Sequence, residues 1–165
     1  MGLRVDPRPV GAPRLTRVPG RALALLVIVA VVSGGCGSSP PTVALRAVDA
    51  WTRPLPPSSV EASIYLTVEN RGDVADRLVG GQSTRCMALT LHRTSVGADG
   101  TSTMEEASPD DATIVPGGRL DLVPNGLHLM CSGLAEPLRK GDTFEVMLGF
   151  ASGSTVAVEV AVEDR

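Results

Sequence analysis

The feature that most constrains this chain is alternation. Apolar and polar residues take turns over residues 62–68, 87–91, 119–123, 127–130, 143–150 and 155–162, and a period of two marks a strand with one face buried. Between these runs stand Asn70-Arg71-Gly72, Gly80-Gly81, Ala98-Asp99-Gly100, Pro116-Gly117-Gly118, Pro124-Asn125-Gly126, Arg139–Asp142 and Ser152-Gly153-Ser154. Such residues tolerate positive φ or preset a turn. No long stretch repeats at helical spacing. About seven short strands, with turn signals every ~8–15 residues, predict an all-β domain, either an antiparallel β-sandwich or a Greek-key barrel. With one Trp, one Tyr and two Phe, the core has to come from Val, Leu, Ile and Ala, and stacking surfaces for sugars or bases are not expected.

The alternating region does not begin at residue 1. Arg4, Arg8, Arg14, Arg17 and Arg21 face a single acid, Asp6, and are followed by an apolar run over 22–32 and then Ser33-Gly34-Gly35-Cys36. A basic segment, a short apolar stretch and small residues at a cleavage point make up an export signal, and the run is shorter than the roughly 20 residues of a bilayer span. Residues 1–35 are read as that signal. Cys36 resembles the lipidated cysteine of a bacterial lipobox, with Ser33 where Leu is usual, which implies a membrane anchor in the cell envelope. Residues 36–43, with Gly37-Ser38-Ser39-Pro40-Pro41, read as the anchor and a tether that cannot build a core, leaving 44–165 as the folded domain. The leader holds five of the 15 basic and one of the 18 acidic side chains, so 10 and 17 remain, a formal charge of −7. That balance argues against nucleic acid as a partner. Cys86 and Cys131 are exported with the domain, and an oxidising compartment favours a disulfide between them.

Chemistry concentrates on few residues. The chain holds two histidines, His92 and His128, each near a methionine. His128 and Met130 occupy i and i+2 of a predicted strand and so leave the same face. His92 closes the strand 89–92, and Met104 follows after the Asp99-Gly100 turn; if residues 88–93 and 103–106 pair across it, His92 and Met104 approach. Two neutral imidazoles and two thioethers form a soft, uncharged donor set that suits Cu(I) and offers little to Mg²⁺, Ca²⁺ or Mn²⁺. Zn²⁺ prefers thiolate or carboxylate beside His. The same spacing fits a plainer role, with Met as core filler and His solvated. Cys131 directly follows Met130 and points to the opposite face, which favours a bridge to Cys86 over a thiolate ligand. No C-x-x-C pair, nucleophilic triad or phosphate-cradling loop is evident.

The run His92-x11-Met104-x23-His128-x-Met130 resembles the His-Met-x10-Met-x21-His-x-Met signature of the PCu(A)C family of copper chaperones. Segments 48–54, 62–72, 76–80, 115–118 and 126–130 are similar to that family as well. Arg93 and Ser102 stand where the family carries further methionines, and the second spacer is two residues longer. The resemblance implies a cupredoxin-like β-sandwich that binds one Cu(I) ion through His92, Met104, His128 and Met130 and is not an enzyme. It also implies delivery to a copper-accepting apoprotein, toward the CuA centre of cytochrome c oxidase through subunit II or its assembly factors. A structural or adhesive envelope lipoprotein is the alternative. An electron-transfer cupredoxin would need a Cys thiolate with two His at the metal.

Overall fold

The computed structural model describes Gly2 and residues 42–165; Cys36 and, Gly2 apart, the expected signal segment lie outside the described residues. The chain forms strands β1 (Leu45–Thr52), β2 (Glu61–Asn70), β3 (Asp76–Gln82), β4 (Ala88–Val96) and β5 (Ser102–Glu106). A 3₁₀ turn over Pro109–Ala112 leads to β6 (Thr113–Ile114), β7 (Arg119–Leu122), β8 (Leu127–Ser132), β9 (Thr143–Phe150) and β10 (Thr155–Val162). The last two coincide with the alternating runs, because strict alternation of exposed and buried residues there leaves no other register.

Seven strands close on themselves in the order β4-β8-β2-β1-β10-β9-β3, with β3 returning to β4 at the Gly81–Leu89 pair. Between sandwich and barrel, the structure decides for the closed, cupredoxin-like form. β5 extends the path beyond β4, β6 pairs with β3, and β7 pairs with β2. The β1–β10 pairing is parallel.

The closure depends on Gly80 and Gly81. The sequence reads them as a turn; they lie instead inside β3, where the register against β9 shifts between Leu78 and Gly80. Gly80 takes φ +134°, and a Cβ there would stand 2.9 Å from the Leu89 carbonyl oxygen. On Gly81 a Cβ would stand 2.9 Å from the Met147 carbonyl oxygen. Only glycine lets three backbones approach this closely.

β1 escapes the alternation pattern for a related reason. Asp49 adopts φ 55° at a bulge between Val48 and Trp51. The extra residue sets Trp51, rather than Ala50, opposite Tyr65 on β2.

Ile64, Val68, Leu129, Val146, Leu148 and Val160 fill the barrel interior and are fully buried. Each contributes about 1.5–3 kcal/mol relative to exposure. Cys86 and Cys131 form a disulfide with Cα atoms 5.3 Å apart. The bridge closes a separation of 45 residues, for which chain-entropy reasoning gives about 4 kcal/mol. Cys131 faces inward and is fully buried, on the far side of β8 from His128 and Met130.

Candidate metal centre

β8 lies between β4 and β2, and its register places every residue in question. His128 pairs directly with His92, and Met130 with Thr90. On the other side Met130 pairs with Ser63. Because cross-strand partners share a face, His92, His128 and Met130 lie together on the outer face of the barrel, while Leu89, Leu91, Leu129 and Cys131 point inward.

Met104 reaches that face through the β4–β5 hairpin. Its loop is the three residues Ala98-Asp99-Gly100, closed by the Gly97 N–H donating to the Thr101 carbonyl at 2.8 Å, with Gly100 at φ 83°. This length sets Met104 opposite Thr94 and Glu106 opposite His92. A two-residue loop would have slipped the pairing by one and turned Met104 to the other face. Met104 therefore stands diagonal to His92, where Cβ atoms are about 7–8 Å apart or somewhat less. Glu106 occupies the position directly across from His92. Sequence reading missed Glu106; counting the hairpin register outward from a three-residue loop would have found it.

The burial of these residues is graded. His128 is 2 % and Met130 7 % exposed, His92 is half-buried, and Met104 is 48 % exposed on the outermost strand.

The two imidazoles differ in what holds them. His128 Nδ1 lies 3.0 Å from the Gly126 carbonyl oxygen. A carbonyl only accepts, so Nδ1 carries the proton and Nε2 keeps its lone pair. Nε2 is buried and, among the described residues, has no hydrogen-bond partner. The carbonyl is presented by the Pro124-Asn125-Gly126 turn, in which Asn125 adopts φ 59°. A backbone carbonyl fixing one ring nitrogen while the other points free is the usual support of a metal-ligating histidine. His92 Nε2 lies 3.1 Å from the Thr90 hydroxyl, which donates or accepts and leaves the tautomer open.

The His92 and His128 ring centroids are 6.3 Å apart. An imidazole–metal bond of about 2.0–2.1 Å, plus about 1.1 Å from nitrogen to ring centre, allows two rings on one ion to stand up to about 6.4 Å apart in a linear arrangement. The observed spacing fits that limit, and a bent arrangement requires the rings to close by roughly 1 Å. Among the described residues, no three His, Cys, Asp or Glu side chains converge closely enough to hold an ion by themselves. A complete site on this face thus draws on thioethers.

Aromatic rings continue the face toward β1. Tyr65 is centred 6.2 Å from His128, and Trp51 4.7 Å from Tyr65. The Arg165 guanidinium lies over Trp51, 5.3 Å from the ring centre. It also donates to Asp49 at 2.8 Å, and this hydrogen bond holds the Asp49 carboxyl below its usual range. A cavity of about 170 Å³ opens beside Met130, walled by Thr52, Arg53, Leu55, Ser63 and Tyr65.

A closed β-barrel with two histidines and two methionines on one outer face defines a PCuAC-type, cupredoxin-like domain. Residues 45–162 match the family described as "Putative lipoprotein LpqE-like", and the chain belongs to that LpqE-like family. It is 40 % identical over 97 residues to "Putative lipoprotein Lxx21020" of Leifsonia xyli subsp. xyli. That match covers 59 % of the chain and 57 % of the relative, so it spans little more than half of the relative's length. Among solved structures, the apo PCuAC domain from PmoF1 superposes with a TM-score of 0.61 at 22 % identity, over 75 % of this chain and 98 % of that one. The Cu(I) form of DR1885 from Deinococcus radiodurans matches with a TM-score of 0.55 at 29 % identity, over 79 % and 83 %.

Proposed function

We propose that residues 44–165 form an extracytoplasmic metallochaperone that takes one Cu(I) ion on His92, Met104, His128 and Met130 and passes it to a partner apoprotein. The observation that carries this reading is the His128 Nε2 lone pair, buried and unpartnered among the described residues, on the same face as Met130 and opposite a second imidazole. Burying an unpaired polar group costs about 1–3 kcal/mol, and coordination of a soft ion would offset that cost. The copper-bound PCuAC domain from PmoF2 and the Cu(I) form of DR1885 support copper as the cargo.

The exposure gradient suits transfer. His128 and Met130 form the deep part of the site, whereas Met104 and His92 lie toward solvent and are the ligands an acceptor can replace first. Thioethers withstand an oxidising compartment that would consume free thiolates. No acid–base or nucleophilic group is required, so the role is binding and handover rather than catalysis. Export through residues 1–35, lipidation at Cys36 and the tether over 36–43 belong to the same proposal, which places the domain on the outer side of a bacterial membrane. The acceptor we assign is the CuA centre of cytochrome c oxidase, in subunit II or through its assembly factors.

Titration of the exported protein with Cu(I) under reducing conditions, in competition with a chromophoric chelator, tests the reading. One ion bound more tightly than micromolar is expected, and weaker binding rejects it. For the acceptor, deleting the chain should lower oxidase assembly at limiting copper, with rescue by wild type and not by His128→Ala.

A further inference from the structure

The strand that carries Met104 is an open edge. β5 ends the strand path beyond β4, and all five of its residues are exposed. The other end of the path is β6, two residues long. Hydrogen-bonded and non-bonded pairs alternate along an antiparallel ladder, and two bonds fix the phase here. The Gly97 N–H donates to the Thr101 carbonyl at 2.8 Å, and the Ala107 N–H to the Leu91 carbonyl at 2.9 Å. Thr103 and Glu105 therefore bond to β4, whereas the N–H and C=O groups of Ser102, Met104 and Glu106 point the opposite way. Among the described residues, none of those groups has a partner. A row of alternating free donors and acceptors is a template for one more strand.

The edge lies where handover would begin. Met104 stands at its middle and is the most exposed of the four site residues. We propose that β5 docks an extended, basic segment of the copper acceptor, which pairs with Ser102, Met104 and Glu106 as a further strand of the sheet. A residue paired with Met104 shares its face, with Cβ atoms about 4.5–5.5 Å apart, so a donor side chain there meets the ion at its outermost ligand. The inference rests on the reading of Met104 as a copper ligand.

Charge selects the occupant. Residues 98–112 hold five acids and no base. Glu105 and Glu106 leave opposite faces of β5, and among the described residues neither joins an ion pair. Charged side chains on an edge keep copies of a protein from pairing with one another. The same two glutamates favour lysine or arginine on either face of an incoming strand, since opposite charges across a ladder attract and like charges repel. The edge is thus closed to a second copy of this chain and open to a basic segment.

The exported protein, free of copper, is mixed with a ten-residue peptide that alternates lysine and valine, and amide hydrogen exchange is followed residue by residue by NMR. At saturation the Ser102, Met104 and Glu106 amides should slow by about tenfold or more, while those of Thr103 and Glu105, already bonded to β4, change by less than about threefold. The same peptide with glutamate for lysine should bind at least about tenfold more weakly. Ser102→Pro removes one outward N–H and spares the β4 ladder; it should weaken the lysine peptide about fivefold and hold Cu(I) affinity within about threefold. Glu105→Gln, which leaves the backbone untouched, should weaken the peptide about threefold at low salt and not at high salt. Protection elsewhere or nowhere, equal binding of the acidic peptide, or unchanged peptide affinity in both variants overturns the assignment. So does a dimer of the peptide-free protein with its own β5 amides protected. Cu(I) titration of wild type separates the two readings: edge protection without Cu(I) binding rejects the chaperone and leaves the docking edge, whereas Cu(I) binding without edge protection rejects the docking edge alone.

Discussion

Asn70 and Asp76 near one end of the barrel and His128 on β8 are buried to a similar degree, 1 %, 6 % and 2 % exposed, yet they are provided for differently. The Asn70 amide donates to the Val74 and Ile114 carbonyls at 2.8 and 3.1 Å and accepts from the Gly72 N–H. Asp76 accepts from the Arg77 and Ser152 N–H groups and from the Ser152 hydroxyl. His128 has one nitrogen satisfied and the other, among the described residues, without a partner. Buried polar groups in proteins are nearly always paired, so the first two read as architecture, and the third is the one the proposed function draws on.

The largest expected effect is on binding. His128→Ala should lower Cu(I) affinity by about a hundredfold or more, the scale of losing a direct ligand rather than its supporting partner, and should also cost stability, because the ring is buried and its Nδ1 bonds the Gly126 carbonyl. Unchanged Cu(I) affinity in the folded variant would make His128 one more structural polar residue.

Asn70→Ala should cost stability alone. It strands two carbonyls and an N–H, at about 1–3 kcal/mol in chemical denaturation, and should leave copper affinity unchanged.

A smaller effect separates two methionines on outward-facing strands. Met104→Leu should weaken Cu(I) by about tenfold with no change in melting temperature, because a ligand rather than a packed side chain is lost. Met147→Leu, on β9 and 37 % exposed, should change neither. Equal behaviour of the two would remove Met104 from the site.

The smallest effect is on acid stability. Burial by itself pushes the Asp76 carboxyl up, but the bonds from Ser152 and Arg77 outweigh it and leave the group below its ordinary 3.8. A lowered folded pKa means that this stabilisation is fully present above the unfolded value and is lost as pH falls through the folded one. Asp76→Asn should therefore be less stable than wild type at neutral pH, by about 1 kcal/mol, with the gap shrinking below pH 3.8 in acid titrations followed by circular dichroism.

Much of this was legible in the chain. β9 and β10 follow the alternating pattern to the residue, and Cys131 lies on the face of β8 away from Met130, as a period of two requires. The pairing of His128 with Met130 needed only that period. Two strands were hidden by the devices that shape them: the Asp49 bulge breaks the alternation of β1, and Gly80-Gly81 imitates a turn within β3. Glu106 was hidden by a one-residue difference in loop length.

The sequence alone determined which residues alternate, where the chain can turn, and that two histidines and two methionines are the scarce soft donors, since these are local properties of composition and period. The tertiary structure decided that the sheet closes, that His92 faces His128 across β4 and β8, and that Glu106 rather than Met104 lies opposite His92. Those outcomes depend on register between strands as distant in sequence as β1 and β10, where Trp51 pairs with Ala161, and register is set by loop length, bulges and the close approach of backbones rather than by any one segment's pattern.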